Sequence, residues 1–177
     1  MPAPTKQALM ILLLRLTTNL DSFEKMDLQW DQDQRRLING LLGIFKDPKS
    51  SRLNQCAAAH YLGELHASIA VRALSEKITL NYVRTGFIDH MSDLGAAVEV
   101  ALIQIGTPSI PAMIRNLEES DDARVRDLSL EVLYHIEGDK DIVRLRFQKA
   151  ITAQKDSQKQ ARLEAALKSL GEMQFDK

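Results

Sequence analysis

The sequence predicts an all-α protein, a right-handed α-solenoid of stacked helical hairpins, on three observations. A short pattern ending in glycine recurs four times, at Ala57–Gly63, Val100–Gly106, Val132–Gly138 and Ala165–Gly171. These glycines are 43, 32 and 33 residues apart, the spacing of two helices plus their turns. Composition agrees: eight Gly, five Pro and 5% aromatic residues are too few for a strand-and-turn fold, while Ala and Leu, which suit close helix packing, abound. Strand-like alternation is nowhere sustained. Such units bury their cores against one another and leave their outer surfaces to partners.

Taken in order, Pro2 and Pro4 precede a helix over about Thr5–Asn19. Its run Leu9–Leu14 is continuously apolar, as in a helix covered on more than one side, and is expected to cap the first hairpin. Asp21–Asp33 reads as a polar loop holding the single tryptophan, Trp30. Leu37, Ile38, Leu41, Leu42 and Phe45 then recur at helical spacing until Asp47-Pro48, where proline cannot continue the hydrogen-bond ladder. The clearest unit runs from Gly106 to Gly138. Thr107-Pro108-Ser109 opens its first helix, with Ile110, Ile114 and Leu117 inward, and 118–122 is the turn. Val125-Arg126 opens the second, with Leu128, Val132, Leu133 and Ile136 inward. Gly138 ends it in the left-handed conformation common past helix C-termini. Residues 1–177 thus form one domain, with a capping helix and loop over 5–34 and repeats over 35–173.

The stretch Ile105-Gly106-Thr107-Pro108-Ser109-Ile110-Pro111-Ala112-Met113-Ile114, followed by Asp121-Asp122 and Val125-Arg126, resembles HEAT-like repeats. The bacterial variety, also found in phycobilisome lyase-like proteins, is the nearest in pattern. That family has a proline in the first helix, an aspartate in the hairpin turn and Val-Arg opening the second helix. Asp47 and Arg52 fit the Asp and Arg places of the first unit, and Asp156 fits the turn of the last. The unit ending at Gly106 has Leu94-Gly95-Ala96 where the arginine belongs. The resemblance implies about four HEAT-like hairpins behind the capping helix. It implies no single function, because this scaffold serves many.

Charge is balanced, 23 Lys+Arg against 24 Asp+Glu, so counterion release supplies no drive toward nucleic acid. Cys56, the single cysteine, lies among Gln55, Ala57 and Ala58 and reads as a small buried hydrophobe. No segment has the roughly 18–20 apolar residues of a membrane span. A cytoplasmic, monomeric protein is expected; the alternative, which Ala3-Pro4-Thr5 would also suit, is an exported chain whose leader Met1 replaces.

Catalytic signatures are missing from the pattern. A di-iron enzyme on this scaffold, deoxyhypusine hydroxylase, uses repeated His-Glu pairs, and no such dipeptide occurs here. Glu64 and His66 are two residues apart, about 200° around a helix, and so splayed. Glu131 and His135 have the four-residue spacing, which suits a surface ion pair. No nucleophile elbow or phosphate-cradling glycine loop appears. No catalytic residue, cofactor or metal is therefore expected.

Two features point to binding. Glu99, Glu131 and Glu164 stand seven residues before successive glycines, and His60 and His135 three residues before theirs. In a HEAT-like stack the second helices line the concave face, so these residues form rows that attract a basic segment of another protein. The second feature is the surplus in the 43-residue interval, an insertion at Asn81–Met91 offering Tyr82, Arg84 and Phe87 as contacts. The expected function is a non-enzymatic protein-interaction module. A phycobilisome lyase-like enzyme or chaperone handling a tetrapyrrole is the alternative, opposed by the low aromatic content. A HEAT-like DNA glycosylase is a second, opposed by the acidic row.

Overall fold

The computed structural model describes residues 30–81 and 96–172. The predicted capping helix and the Asn81–Met91 insertion, with Tyr82, Arg84 and Phe87, lie outside these residues apart from Asn81. Among the described residues the chain is helical, with no strand. The helices are α1 (Trp30–Lys46), α2 (Arg52–Glu64), α3 (Val71–Glu76), α4 (Ala97–Ile105), α5 (Ile110–Glu119), α6 (Ala123–Glu137), α7 (Lys140–Ala153) and α8 (Ser157–Glu172). Single 3₁₀ turns, Ser68–Ala70 and Thr107–Ser109, lead into α3 and α5. α1 begins at Trp30, inside the stretch read as a loop up to Asp33. Its polar first turn hides it from a periodicity search, because the apolar spacing begins only at Leu37.

Local chemistry explains the boundaries. Asp47 and Pro48 follow α1 directly, and the Asp47 carboxylate accepts the Lys49 amide. Ser51 caps α2 by accepting from the Asn54 amide, and Asp122 and Asp139 cap α6 and α7 through the amides two residues on. Gly138 ends α6 at φ 69, ψ 0, the left-handed cap expected, and Gly106 ends α4 at φ 77. The four glycines nevertheless have different jobs. Gly63 is still helical, and past α2 it is His66 that takes positive φ (48°). Gly171 lies within α8, exposed.

The core is continuous through the described helices, from Leu37, Leu41 and Phe45 of α1 to Leu163 and Leu170 of α8. α1 packs on α2, α2 on α4 and α4 on α6, while α3 packs on α4 and α5. α5 pairs with α6 and also with α8, and α7 bridges α6 and α8. α8 touches α6 less, and an open cleft between them is floored by Leu117, Leu130 and Ala166 and flanked by Arg126 and Arg162.

One kind of polar tie between successive hairpins recurs at the C-terminal end of the first helix. The Phe45 carbonyl accepts from Lys77 Nζ (2.9 Å), the Ser75 carbonyl from Asn116 Nδ2 (3.2 Å) and the Glu118 carbonyl from Arg162 Nη1 (3.1 Å). Helix ends leave these carbonyls without intrahelical donors, so each side chain from the following hairpin satisfies an otherwise orphaned group. Arg162 also pairs with Asp121, and Lys159 with Glu119. The hairpin turns that follow α1 and α5 are each held by a side chain donating to backbone oxygens. Gln55 donates to the carbonyls of Asp47 and Ser50, and Arg126 to the Ser120 carbonyl. Backbone oxygens of a turn are fixed in place, whereas the Asp47 and Asp122 carboxylates are engaged by amides of their own turns.

Candidate functional site

The outward face of α2, α4 and α6 carries His60, Glu99, Glu131 and His135, four of the residues singled out as binding. The small residues of α2 and α4 allow it. An ideal Cβ on Gly63 would lie 2.6 Å from Ala101 Cα and 2.3 Å from Gln104 Oε1, so the two backbones meet closely only because that position is glycine. Close approach leaves the α4 surface side chains Glu99, Val100, Ile103 and Gln104 half-buried between flanking helices.

Glu99 of α4 and Glu131 of α6 are electrostatic neighbours. The Glu99 carboxyl is held above the ordinary carboxylate range, first by burial and then by the Glu131 carboxylate, with Arg124 offsetting part of the rise. A carboxyl with a raised native pKa makes the folded state bind protons more tightly than the unfolded chain. Its contribution is therefore complete below the unfolded value and lost as pH rises through the native one. Glu99→Gln is expected to stabilise the protein at neutral pH and to flatten the fall in stability across weakly acidic pH. Denaturant unfolding of both proteins over that range checks this.

His60 is half-buried on α2, with its ring edge-on to Tyr61 (centroids 5.0 Å). Its Nδ1 is enclosed without a hydrogen-bond partner, as is Gln104 Oε1. His135 stands exposed on α6, edge-on to Tyr134. Glu164 is exposed on α8 and accepts from Gln160 of the same helix (3.4 Å). The predicted row of three carboxylates is thus realised as the neighbouring pair Glu99–Glu131, with Glu164 on a helix turned mainly toward α5 and α7.

Gln104 was not singled out in the sequence, and it organises this face. Its Nε2 donates to Glu64 Oε1 (2.6 Å), and its carbonyl accepts from His66 Nδ1 (2.5 Å). A carbonyl only accepts, so Nδ1 carries the proton. Glu64 and His66, splayed on an ideal helix, converge on one residue because α2 ends between them. Their partner is about forty positions away, and no local pattern marks it.

Nothing on this face has the marks of an activated nucleophile. Cys56 is fully buried, and burial pushes its thiol above the ordinary value despite the nearby Arg52. Among the described residues no three His, Cys, Asp or Glu side chains gather as a metal site, and no single helix is long and apolar enough to cross a membrane. Comparisons with family models, with curated proteins and with solved structures find no match to this chain.

Proposed function

We propose that this chain is a right-handed solenoid of HEAT-like hairpins serving as a non-enzymatic interaction module. It binds a basic segment of another protein along the outward, concave face of α2, α4 and α6. The stack is supported by the serial packing of α2, α4 and α6 and by the repeated tie from each hairpin to the carbonyl ending the previous first helix. An open cleft lies between α6 and α8, which touch less than α4 and α6 do.

The observation that carries the binding reading is the half-buried carboxylate pair Glu99–Glu131 on adjacent helices. Two like charges held together at reduced solvation attract a cation more strongly than separate surface carboxylates do. A lysine or arginine side chain placed between them would relieve their repulsion. The half-buried Ile103, one turn from Glu99 on α4, offers apolar contact to its stem.

Titration with a lysine- and arginine-rich peptide at low and high ionic strength tests this reading. Binding is expected at low salt, weakening as salt screens the charges. Glu131→Lys and the double reversal of Glu99 and Glu131 should each abolish it with helicity unchanged, whereas Glu164→Lys should leave most of it. Equal affinity of the reversed and natural proteins would eliminate this face as the contact.

A further inference from the structure

The outer side of α7 carries apolar surface and charge that the acidic face does not use. Among the described residues three large apolar side chains are exposed, and two of them share this helix. Ile142 and Leu145 stand one turn apart on it, 42% and 57% exposed. α7 packs on α6 and α8 and buries Val143 and Phe147, which leaves the opposite side to solvent. Beside Leu145 lies a shallow depression walled by Gln148, Lys149, Thr152 and Ala153.

The charges on this side follow a symmetric order. Asp141 stands four residues before Leu145 and Lys149 four residues after it, and all three are exposed. Four residues of helix advance about 6 Å and turn about 400°, so the two charges flank Leu145 by about 40° on either side. A two-fold axis through Leu145 reverses the helix and exchanges those sides. It sets each Asp141 against the other copy's Lys149 and Leu145 against Leu145. It also carries each Ile142 toward the depression of the other copy. Asp141 already pairs with Arg144, but its side chain is 79% exposed and keeps acceptor capacity for a second cation. A foreign helix would need this order by coincidence; a second copy has it by construction.

We propose that α7 is the contact between two copies of this chain, packed antiparallel about a two-fold axis at Leu145. One helix pair is a small contact, below the roughly 1,200 Å² of stable complexes, so the dimer is weak, with Kd on the order of 0.1–1 mM. The chain is then a monomer at low concentration. The contact lies on a different helix from Glu99 and Glu131, so it stands or falls separately from the acidic face.

Sedimentation equilibrium of the full chain at low salt, over concentrations spanning that range, provides the test. The natural chain should move from monomer to dimer mass. Asp141→Lys sets lysine against lysine, and Lys149→Asp sets aspartate against aspartate, so each alone should weaken self-association about tenfold. An equimolar mixture of the two variants regains both opposite-charge pairs and should dimerise as the natural chain does. Leu145→Asp, at an exposed position, should abolish the dimer with helicity retained, and it decides the matter if Asp141→Lys disturbs the start of α7. A natural chain that stays monomeric throughout overturns the proposal. So does a dimer indifferent to Leu145→Asp, which would place the contact on another surface. A mixture of folded variants that associates no better than either component overturns it too.

Discussion

Phe147→Ala is expected to release α7 and α8 while the earlier helices stay folded. Phe147 is fully buried, and only it and Val143 are buried among the residues of α7. Truncating a buried phenylalanine costs about 3–5 kcal/mol, the lost transfer energy plus the cavity left behind. The other ties of α7 and α8 to the rest of the fold are the partly solvated and therefore weak pairs Arg146–Glu137, Lys159–Glu119 and Arg162–Asp121, the hydrogen bonds of Gln154 and Arg162 to Glu118, and the buried Leu163 and Leu170 of α8. In a stack, each unit holds mainly to its neighbours, so damage at one end stays there. Amide exchange should lose protection over residues 140–172 and keep it in α2 and α4. Leu102→Ala makes the contrast. Leu102 is fully buried in α4, between α2 and α6, and its loss of about 2–5 kcal/mol should lower protection throughout. Uniform loss from Phe147→Ala would mean a closed cooperative bundle and would remove the solenoid reading.

Gly63→Ala is expected to destabilise the protein, and Gly171→Ala to stabilise it. Both change glycine to alanine within a helix, where alanine is favoured by about 0.5–1 kcal/mol. At Gly171 nothing lies within 4 Å of the new Cβ, so that preference is realised. At Gly63 the Cβ would meet the Ala101 backbone at 2.6 Å, and backbone cannot swing aside as a side chain can. α2 and α4 must separate, and overpacking of this kind costs about 1–3 kcal/mol. The shift also disturbs Gln104 and its bonds to Glu64 and His66. Thermal melts of the two variants should therefore move in opposite directions. A rise for Gly63→Ala would show that this helix contact is looser than its geometry implies.

Much of the fold was legible because helices announce themselves locally. The unit from Thr107 to Gly138 follows its reading closely: a turn of 3₁₀ helix at Thr107–Ser109, buried Ile110 and Leu117, and the left-handed Gly138. Proline geometry, apolar spacing and the missing Cβ of glycine all act within a few residues. The recurring glycine misled in one respect. It placed Gly63, Gly106, Gly138 and Gly171 correctly near the ends of α2, α4, α6 and α8. It also implied one shared role, whereas Gly106 and Gly138 turn the chain, Gly63 admits α4, and Gly171 does neither.

The candidate site was legible in part for a related reason. Helical phase puts Glu99 and Glu131 on the outward sides of their helices, but whether two such sides adjoin depends on how the helices stack. α6 brings Glu131 beside Glu99, while α8 takes Glu164 elsewhere. The hairpin ties show the same division, with Arg162 and Lys77 reaching carbonyls in a preceding hairpin.

The amino-acid order alone thus determined the helical class and the chemistry at helix ends such as Asp47-Pro48 and Gly138, since these rest on interactions within a turn or two of backbone. Only the tertiary structure decided which carboxylates become neighbours, that Gln104 gathers Glu64 and His66, and that α8 packs mainly on α5 and α7. Those outcomes depend on packing between residues thirty to forty positions apart, where one glycine or one buried side chain sets the distance and angle between helices.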